Sequence, residues 1–469
     1  MQNYYLAVDI GASSGRHILG HIEDGKMQLE EVYRFENGMK DIDGTKCWDA
    51  DQLFIEIKAG MKACKELGKI PVSVSVDTWG VDFALLDKEG NRIGYTVGYR
   101  DSRTQGMDEE VYKIIKETDL YARTGIQKQL YNTIYQLMAV KKQHPEYLEQ
   151  ADTLLFMPDY FHYLLSGKKA VEYTIATTGQ LVSPATKDWD YELFDMLGYP
   201  KNIFPEIKMA GSVLGNLTKE VEEEVGFNCQ VVVPASHDTG SAVMAVPSMG
   251  KETVYISSGT WSLMGVESLE AICNEASYEA NLTNEGGYNY RYRFLKNIMG
   301  LWMIQSVRRD YDKQYSFAEL CEMASQKKDF VSRVDVDDQS FFAPDNMIEA
   351  IKEYCAKTGQ TVPETPGEVA TVVYASLAEC YGRTVQQIEA ITGKSYEAIN
   401  IVGGGANADY LSQLTANATK KTVYAGPTEA TAIGNLVAQM INGGEYASLE
   451  EARKNIFESF AVKTFEPEC

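Results

Sequence analysis

Four short segments carry residue types that suit phosphoryl chemistry. The first is Asp9-Ile10-Gly11-Ala12-Ser13-Ser14-Gly15-Arg16. Glycines in a tight turn let backbone N–H groups approach phosphate oxygens without side-chain obstruction. Ser13 and Ser14 add hydroxyl donors and Arg16 adds charge, while Asp9 suits Mg²⁺, which takes few protein carboxylates and keeps several waters. The second segment, Ser257-Ser258-Gly259-Thr260, repeats the theme in the other half of the chain. Either turn alone also fits a plain hairpin with a polar tip, but two of them offer opposing holds on one triphosphate. The third is Gly403-Gly404-Gly405. A tight strand-to-helix connection explains one glycine, and three leave a flat backbone surface on which an adenosine can lie. The fourth is Ser236-His237-Asp238-Thr239, where an ionised Asp238 can take a hydroxyl proton. Asp is also a favoured helix cap, and both roles fit.

These segments need strand ends and turns, and the pattern around them supplies both. Tyr4–Ile10 reads as a strand, His17–Ile22 as its return and Leu29–Phe35 as a third run. Asp51–Leu67 has helical spacing, Val72–Val76 is a buried strand, and Thr133–Gln143 and Met157–Leu165 are helices. A strand at Gln230–Val233 leads to Asp238 and a small-residue helix, Gly240–Val246. The opening theme then recurs, with strands Thr253–Ser257 and Trp261–Val266 about the second turn. Glu368–Ile391 is a long helix with apolar residues at Val369, Val372, Leu377, Tyr381 and Ile388, followed by a strand at Ile399–Val402 and a helix through Leu411 and Leu414. Alternating strands and helices of this kind indicate an α/β protein. Pro247–Gly250 punctuates the chain, and we place a domain boundary there, giving domains 1–247 and 248–469.

Bulk properties agree with a globular enzyme. At 469 residues the chain suits two domains. The formal charge of −23 argues against a nucleic-acid partner. Residues 1–10 lack the basic and apolar regions of a secretory signal, and no apolar run approaches the ~18 residues of a membrane span. A cytoplasmic protein is therefore expected. The eight cysteines form no Cys-x-x-Cys pair and read as ordinary thiols of a reducing compartment.

Two look-alikes are set aside. Gly393-Lys394-Ser395 has Ile388 where the first glycine of a phosphate loop belongs, so it reads as the end of the long helix. Asp335-Val336-Asp337-Asp338 lacks the central glycine and terminal Glu of a calcium loop and reads as an acidic turn. His21, His144 and His162 have no metal-like partners.

Two strand-turn-strand phosphate loops, a midchain Asp and a late triple glycine resemble the FGGY carbohydrate kinases, of the actin, hexokinase and heat-shock chaperone ATPase superfamily. The likeness extends to Val8–Arg16, Asp77–Phe83 (DTWGVDF), Tyr99–Arg103, Met157–Phe161, Asn284–Gly287 (NEGG), Lys296–Trp302 and Ile401–Gly405. It implies two actin-like (ribonuclease H-like) ATPase domains with a cleft between them. It further implies ATP-dependent phosphorylation of a small-molecule ketose, L-rhamnulose in the subgroup whose strings these are, with Mg²⁺ at Asp9 and Asp238. In that group Asp238 is the base. Ala12, Ser13, Ser14, Gly15, Arg16, Thr260, Gln305 and Gly404 fall at ATP contacts, and Gly80, His237, Asp238, Thr239 and Asn297 at sugar contacts. Trp79 offers an apolar wall for the sugar's methyl end, though it also suits a core. A kinase for L-fuculose or L-xylulose is the nearest alternative, and a non-kinase actin-like ATPase a distant one.

Overall fold

The computed structural model describes residues 2–468. They form two compact units, each drawing on separate stretches of chain. Of the described residues, the first comprises 2–245, 267–294 and 431–459, and the second 246–266, 295–430 and 460–468.

The first unit is built on a six-stranded sheet. Strands β1 (Tyr4–Ile10), β2 (Ser14–Glu23) and β3 (Lys26–Glu36) form the expected antiparallel meander. Helix α1 (Ala50–Glu66) is capped by the Asp49 side chain and buries Leu53, Ile57, Met61 and Cys64, one helical face. It packs so closely that a Cβ on Gly60 would meet the His17 ring at 2.3 Å. Strand β4 (Pro71–Thr78) lies parallel to β1. Helix α2 (Met157–Ser166) contributes His162, whose Nε2 accepts the Val76 N–H at 3.0 Å, so this histidine supports β4. The sheet is completed by β5 (Val213–Asn216) and β6 (Gln230–Val232), in the order β5-β6-β4-β1-β2-β3.

After β6 comes helix α3 (Asp238–Met244). The expected helix, Gly240–Val246, begins two residues earlier and stops sooner, because Pro247 disfavours helical backbone at the residue before it. The cap also differs from expectation. A bridge between Thr78 and His237 carries the strand pairing through His237, so His237 occupies the cap position, without a side-chain cap bond, and Asp238 is the first helical residue.

In the second unit, β7 (Thr253–Ser258) and β8 (Ser262–Ser268) form the second hairpin. Helix α4 (Trp302–Asp310) follows. The long helix α5 (Pro366–Thr392) opens with a Thr365/Glu368 capping box and ends at Gly393, whose φ of 66° closes it in the left-handed region. The glycine, lysine and serine at 393–395 are thus a helix terminus. Strand β9 (Ala398–Val402) pairs parallel with β7, and helix α6 (Asp409–Thr419) leads to β10 (Thr422–Ala425), which pairs with β9. Helix α7 (Ala430–Asn442) follows, its residues 431–442 belonging to the first unit. Strand β11 (Lys463–Phe465) adds antiparallel to β10, and these five strands run in the order β8-β7-β9-β10-β11. Asp338 of the acidic turn caps a short helix at Gln339–Phe341.

Seven cysteines are free thiols, five of them buried; Cys469 lies outside the described residues. Among the described residues, no helix is long and apolar enough to cross a membrane.

Candidate active site

In the first unit the chemistry gathers at one edge of the sheet, where β1 and β4 end. Register fixes the arrangement. Asp9 of β1 pairs across to Arg16 of β2 on one side and to Asp77 of β4 on the other. One residue beyond Asp77, Thr78 bridges to His237, which sets Asp238 beside the same edge. Ligand sites in open α/β sheets form at such carboxyl ends of strands.

Arg16 donates to Asp9 through Nε at 3.1 Å and Nη2 at 3.0 Å, both to Oδ2. The loop between them is held by Asn37, whose Nδ2 donates to the Gly11 carbonyl at 2.7 Å, while Gly11 N donates to the Ser14 carbonyl at 2.9 Å. Ala12 and Ser13 at its tip are exposed. Asp77 is wholly enclosed, with Oδ2 accepting from Asn435 Nδ2 at 2.6 Å and Oδ1 without a hydrogen bond. Burial, then the charge on Asp9, pushes the Asp77 carboxyl well above its ordinary value, and Asp238 adds to the rise. The Asn435 donor and Arg16 oppose it. The Asp77 carboxyl is thus biased toward its neutral form, while Asp9 is paired with its arginine.

The loop leading into α3 is built on a buried carboxylate that sequence reasoning missed. Glu172 Oε2 accepts from Thr174 N at 2.9 Å, Ile175 N at 3.2 Å and Ser236 N at 3.0 Å. His237 N donates to Thr174 Oγ1 at 3.2 Å, and Thr78 N to the Ser236 carbonyl at 3.0 Å. Asp238 Oδ1 accepts from the Thr239 N–H and, at 3.0 Å, from Thr239 Oγ1. His237 Nε2 lies 3.4 Å from the same oxygen. On the far side of the imidazole stand Glu285 and Arg293, both inside the fold. Burial works to raise the Glu285 pKa, but the Arg293 charge overcomes it, with His237 assisting, and holds the carboxyl at about 2.

Gly80 sits beside Val81, a β-branched residue at φ 68°. That strained turn is pinned by Val81 N donating to Thr178 Oγ1 at 3.1 Å and by Thr133 Oγ1 donating to the Val81 carbonyl at 2.7 Å. Trp79 is core: it packs on Trp48 with ring centroids 3.9 Å apart and planes tilted by 34°, and its indole N–H donates to Asp82 at 2.9 Å. Burial raises the Asp82 pKa to about 6 despite four donors, the Trp48 and Trp79 indoles, Gln136 and the Tyr99 amide.

The second unit brings Thr260, Gln305 and the triple glycine together. Trp302 N donates to the Thr260 carbonyl at 2.9 Å and Leu301 N to the Gly259 carbonyl at 3.1 Å, so the start of α4 holds the β7–β8 turn. Gln305, one turn on, lies 3.4 Å from Thr260 Oγ1 through Oε1. Ser262 bonds the Tyr381 hydroxyl at 2.7 Å, tying the hairpin to α5. A Cβ on Gly403 would meet the Ser258 carbonyl at 3.0 Å, and one on Gly405 the Ser258 hydroxyl at 2.0 Å, whereas one on Gly404 would meet nothing within 4 Å. Packing therefore explains two of the three glycines, and Gly404 faces open space. Asn297 lies on the strand Tyr292–Ile298, in its second-unit portion, whereas Gly80, His237 and Thr239 belong to the first unit.

Among the described residues, no group of three or more His, Cys, Asp or Glu is placed to hold a metal by itself. Asp9 and Asp238 beside one sheet edge fit instead an ion bound mainly by phosphate and water, with one or two carboxylates.

Residues 4–245 match the N-terminal domain of the FGGY family of carbohydrate kinases, and residues 254–443 its C-terminal domain. The chain is 55% identical to a rhamnulokinase of Halalkalibacterium halodurans, covering 99% of this chain and 98% of that one. It is 41% identical to a rhamnulokinase of Bacillus subtilis, covering 99% and 95%. In structure it resembles Plasmodium falciparum glycerol kinase with ADP, at a TM-score of 0.79 and 14% identity over 100% of this chain and 94% of that one. A ligand-bound xylulose kinase of Lactobacillus acidophilus gives 0.77 and 16% over 99% and 94%. The chain is a two-domain α/β carbohydrate kinase that belongs to the FGGY family.

Proposed function

We propose that this enzyme transfers the γ-phosphoryl of ATP to L-rhamnulose, giving ADP and L-rhamnulose 1-phosphate, with Asp238 as general base. The observation that supports the acceptor is the 55% identity, over nearly the whole of both chains, to a rhamnulokinase. The ketose is held by Gly80, His237, Thr239 and Asn297. Asp238 accepts the C1 hydroxyl proton as the oxygen attacks phosphorus in line. Its Oδ1 already serves Thr239, which leaves Oδ2 as the proton-accepting oxygen.

Thr260, Gln305, Gly404 and the 12–16 loop hold ATP, with backbone N–H groups set against the phosphate oxygens. In this reading residues 1–247 form the sugar-binding domain and residues 248–469 the nucleotide-binding domain. Asp9 and Asp238 would hold Mg²⁺, which supplies positive charge to the transferring phosphoryl when bound. Arg16 holds the Asp9 carboxylate in place through two hydrogen bonds. The proposed setting is the cytoplasm, where ATP is supplied.

The deciding experiment is a coupled ADP-release assay of the purified enzyme on L-rhamnulose, L-fuculose, L-xylulose and D-xylulose. The reading requires kcat/KM for L-rhamnulose to exceed that for each other ketose by at least about tenfold, a difference of about 1.4 kcal/mol. Equal efficiency on several ketoses overturns the narrow acceptor, and ATP hydrolysis indifferent to sugar overturns the kinase reaction.

A further inference from the structure

We propose that the threonines of the short helix Tyr173–Thr178 are positioning residues for the ketose, holding three separate stretches of the acceptor site by their backbone N–H groups before any sugar arrives. This deepens the reading above and rests on Gly80, His237 and Thr239 meeting the ketose.

All six residues of the helix are buried. Each threonine hydroxyl commits its one proton close by in sequence. Thr174 Oγ1 donates to Glu172 Oε2 at 2.5 Å, Thr177 Oγ1 to the Thr174 carbonyl at 2.9 Å, and Thr178 Oγ1 to the Ile175 carbonyl at 2.7 Å. Each oxygen is thereby left as an acceptor of fixed direction. What it accepts is a backbone N–H from a distant segment. Thr174 takes His237 N at 3.2 Å, Thr177 takes Gly286 N at 2.7 Å and Thr178 takes Val81 N at 3.1 Å. Those donors lie 63, 109 and 97 positions from their threonines, yet one helix sets all three. A helix that only had to pack would bury valine here, because enclosed hydroxyls are costly unless bonded.

At Val81 the hold works against strain. Its φ is 68°, and the Asp82 N–H donates to the Gly80 carbonyl, two residues back, at 2.9 Å. That is a γ-turn of the rare, strained kind, which a β-branched residue adopts only under constraint. Thr178 constrains the Val81 N–H and Thr133 its carbonyl. The two threonines are themselves joined, since Ile134 N donates to the Gly179 carbonyl at 3.0 Å. From Ser73 to Leu86, Gly80 alone is not buried. Its carbonyl is taken up within the turn, so the N–H is the polar group it can offer to a sugar.

The test uses the purified full chain. Thr178→Val keeps the side-chain shape and removes the acceptor of Val81 N. It should raise KM for L-rhamnulose roughly five- to tenfold, the worth of about one hydrogen bond, with kcat and KM for ATP unchanged. Thr174→Val frees the loop that carries Asp238 and should instead cut kcat on the order of 10²-fold, as a misplaced group does. Thr178→Ser and Thr174→Ser, which keep the hydroxyl, should restore most of each loss. Hydrogen exchange of the sugar-free wild type, read by mass spectrometry over residues 78–83, 235–239 and 284–288, should be slow. Fast exchange that sugar suppresses would mean that the ligand orders these segments, and it overturns the proposal whether or not the variants fold. So does an unchanged KM in Thr178→Val, an equal rise in both KM values, or serine variants no better than the valine ones. Failure of the sugar panel would instead strike the acceptor assignment, because the sugar-free exchange is independent of which ketose binds.

Discussion

Asp9 and Asp77 stand opposite one another on neighbouring parallel strands, yet their carboxyls have different partners. Arg16 pairs with Asp9. Asp77 is enclosed, and burial together with the Asp9 charge pushes its pKa well up. One strand register thus delivers an arginine-paired carboxylate and a buried acid of raised pKa to the same edge.

Among the described residues, the buried Asp77 carboxyl has one side-chain partner, Asn435. Its Nδ2 donates to Asp77, and its Oδ1 accepts from Gln439 at 2.9 Å. Asn435→Ala removes both partners from buried groups and should lower stability by about 1–3 kcal/mol. Urea unfolding checks this, and an unchanged midpoint would refute the network.

Asp238→Asn should keep the fold and ATP binding while cutting kcat by roughly 10²- to 10⁴-fold, the usual share of a general base. Steady-state kinetics beside calorimetric ATP titration measures both, and near-normal turnover would sink the assignment.

The triple glycine separates packing from binding. Gly405→Ala drives a methyl into Ser258 and should cost about 1–3 kcal/mol, the usual penalty of overpacking. Gly404→Ala meets open space. It should leave the melting temperature unchanged and raise KM for ATP, as a side chain placed between backbone and nucleotide would. A stability loss at Gly404 equal to that at Gly405 would contradict the geometry.

Acid should destabilise the first unit through two histidines. Burial lowers the pKa of His17 from 6.5 to about 4 and that of His162 to about 3. His17 Nε2–H donates to the Ile57 carbonyl at 3.0 Å, and His162 Nε2 accepts from Val76. Both depressed values mean that the unfolded chain protonates first as pH falls. Stability is therefore full above about 6.5 and declines as pH drops toward the folded values. Denaturant midpoints at pH 7.5 and 5 should differ, and the difference should shrink in His162→Leu, once that variant's own loss at pH 7.5 is subtracted. Equal midpoints in the wild type would remove the effect.

Much of this could be read from residue order because it is local. Thr133–Gln143 forms a helix with the expected bounds, and both hairpins lie where glycine-serine turns interrupt alternating strands. Asp238 could be found because strand, turn and small-residue helix adjoin it. The residues that position it could not. Glu172 reaches Ser236 across 64 positions, Arg293 reaches His237 across 56, and Asn435 reaches Asp77 across 358. No periodicity links such pairs. Glu285 and Asp77 lie within strings that carry the family likeness, but a string gives no partner. Nor could the cap at His237 be foreseen, since it follows from the bridge to Thr78.

Residues 431–459 complete the first unit, although more than 130 residues of the second precede them. Arg453 of that segment is nearly enclosed and donates to the carbonyls of Val243 and Met244 at the end of α3. A carbon on Gly434 would strike the Ser241 backbone, so α7 lies directly against α3. During synthesis, the helix that begins with Asp238 emerges without the elements that will pin it. The amino-terminal half therefore lacks its partners for Asp77 and for the end of α3 until residues 431–459 have been made.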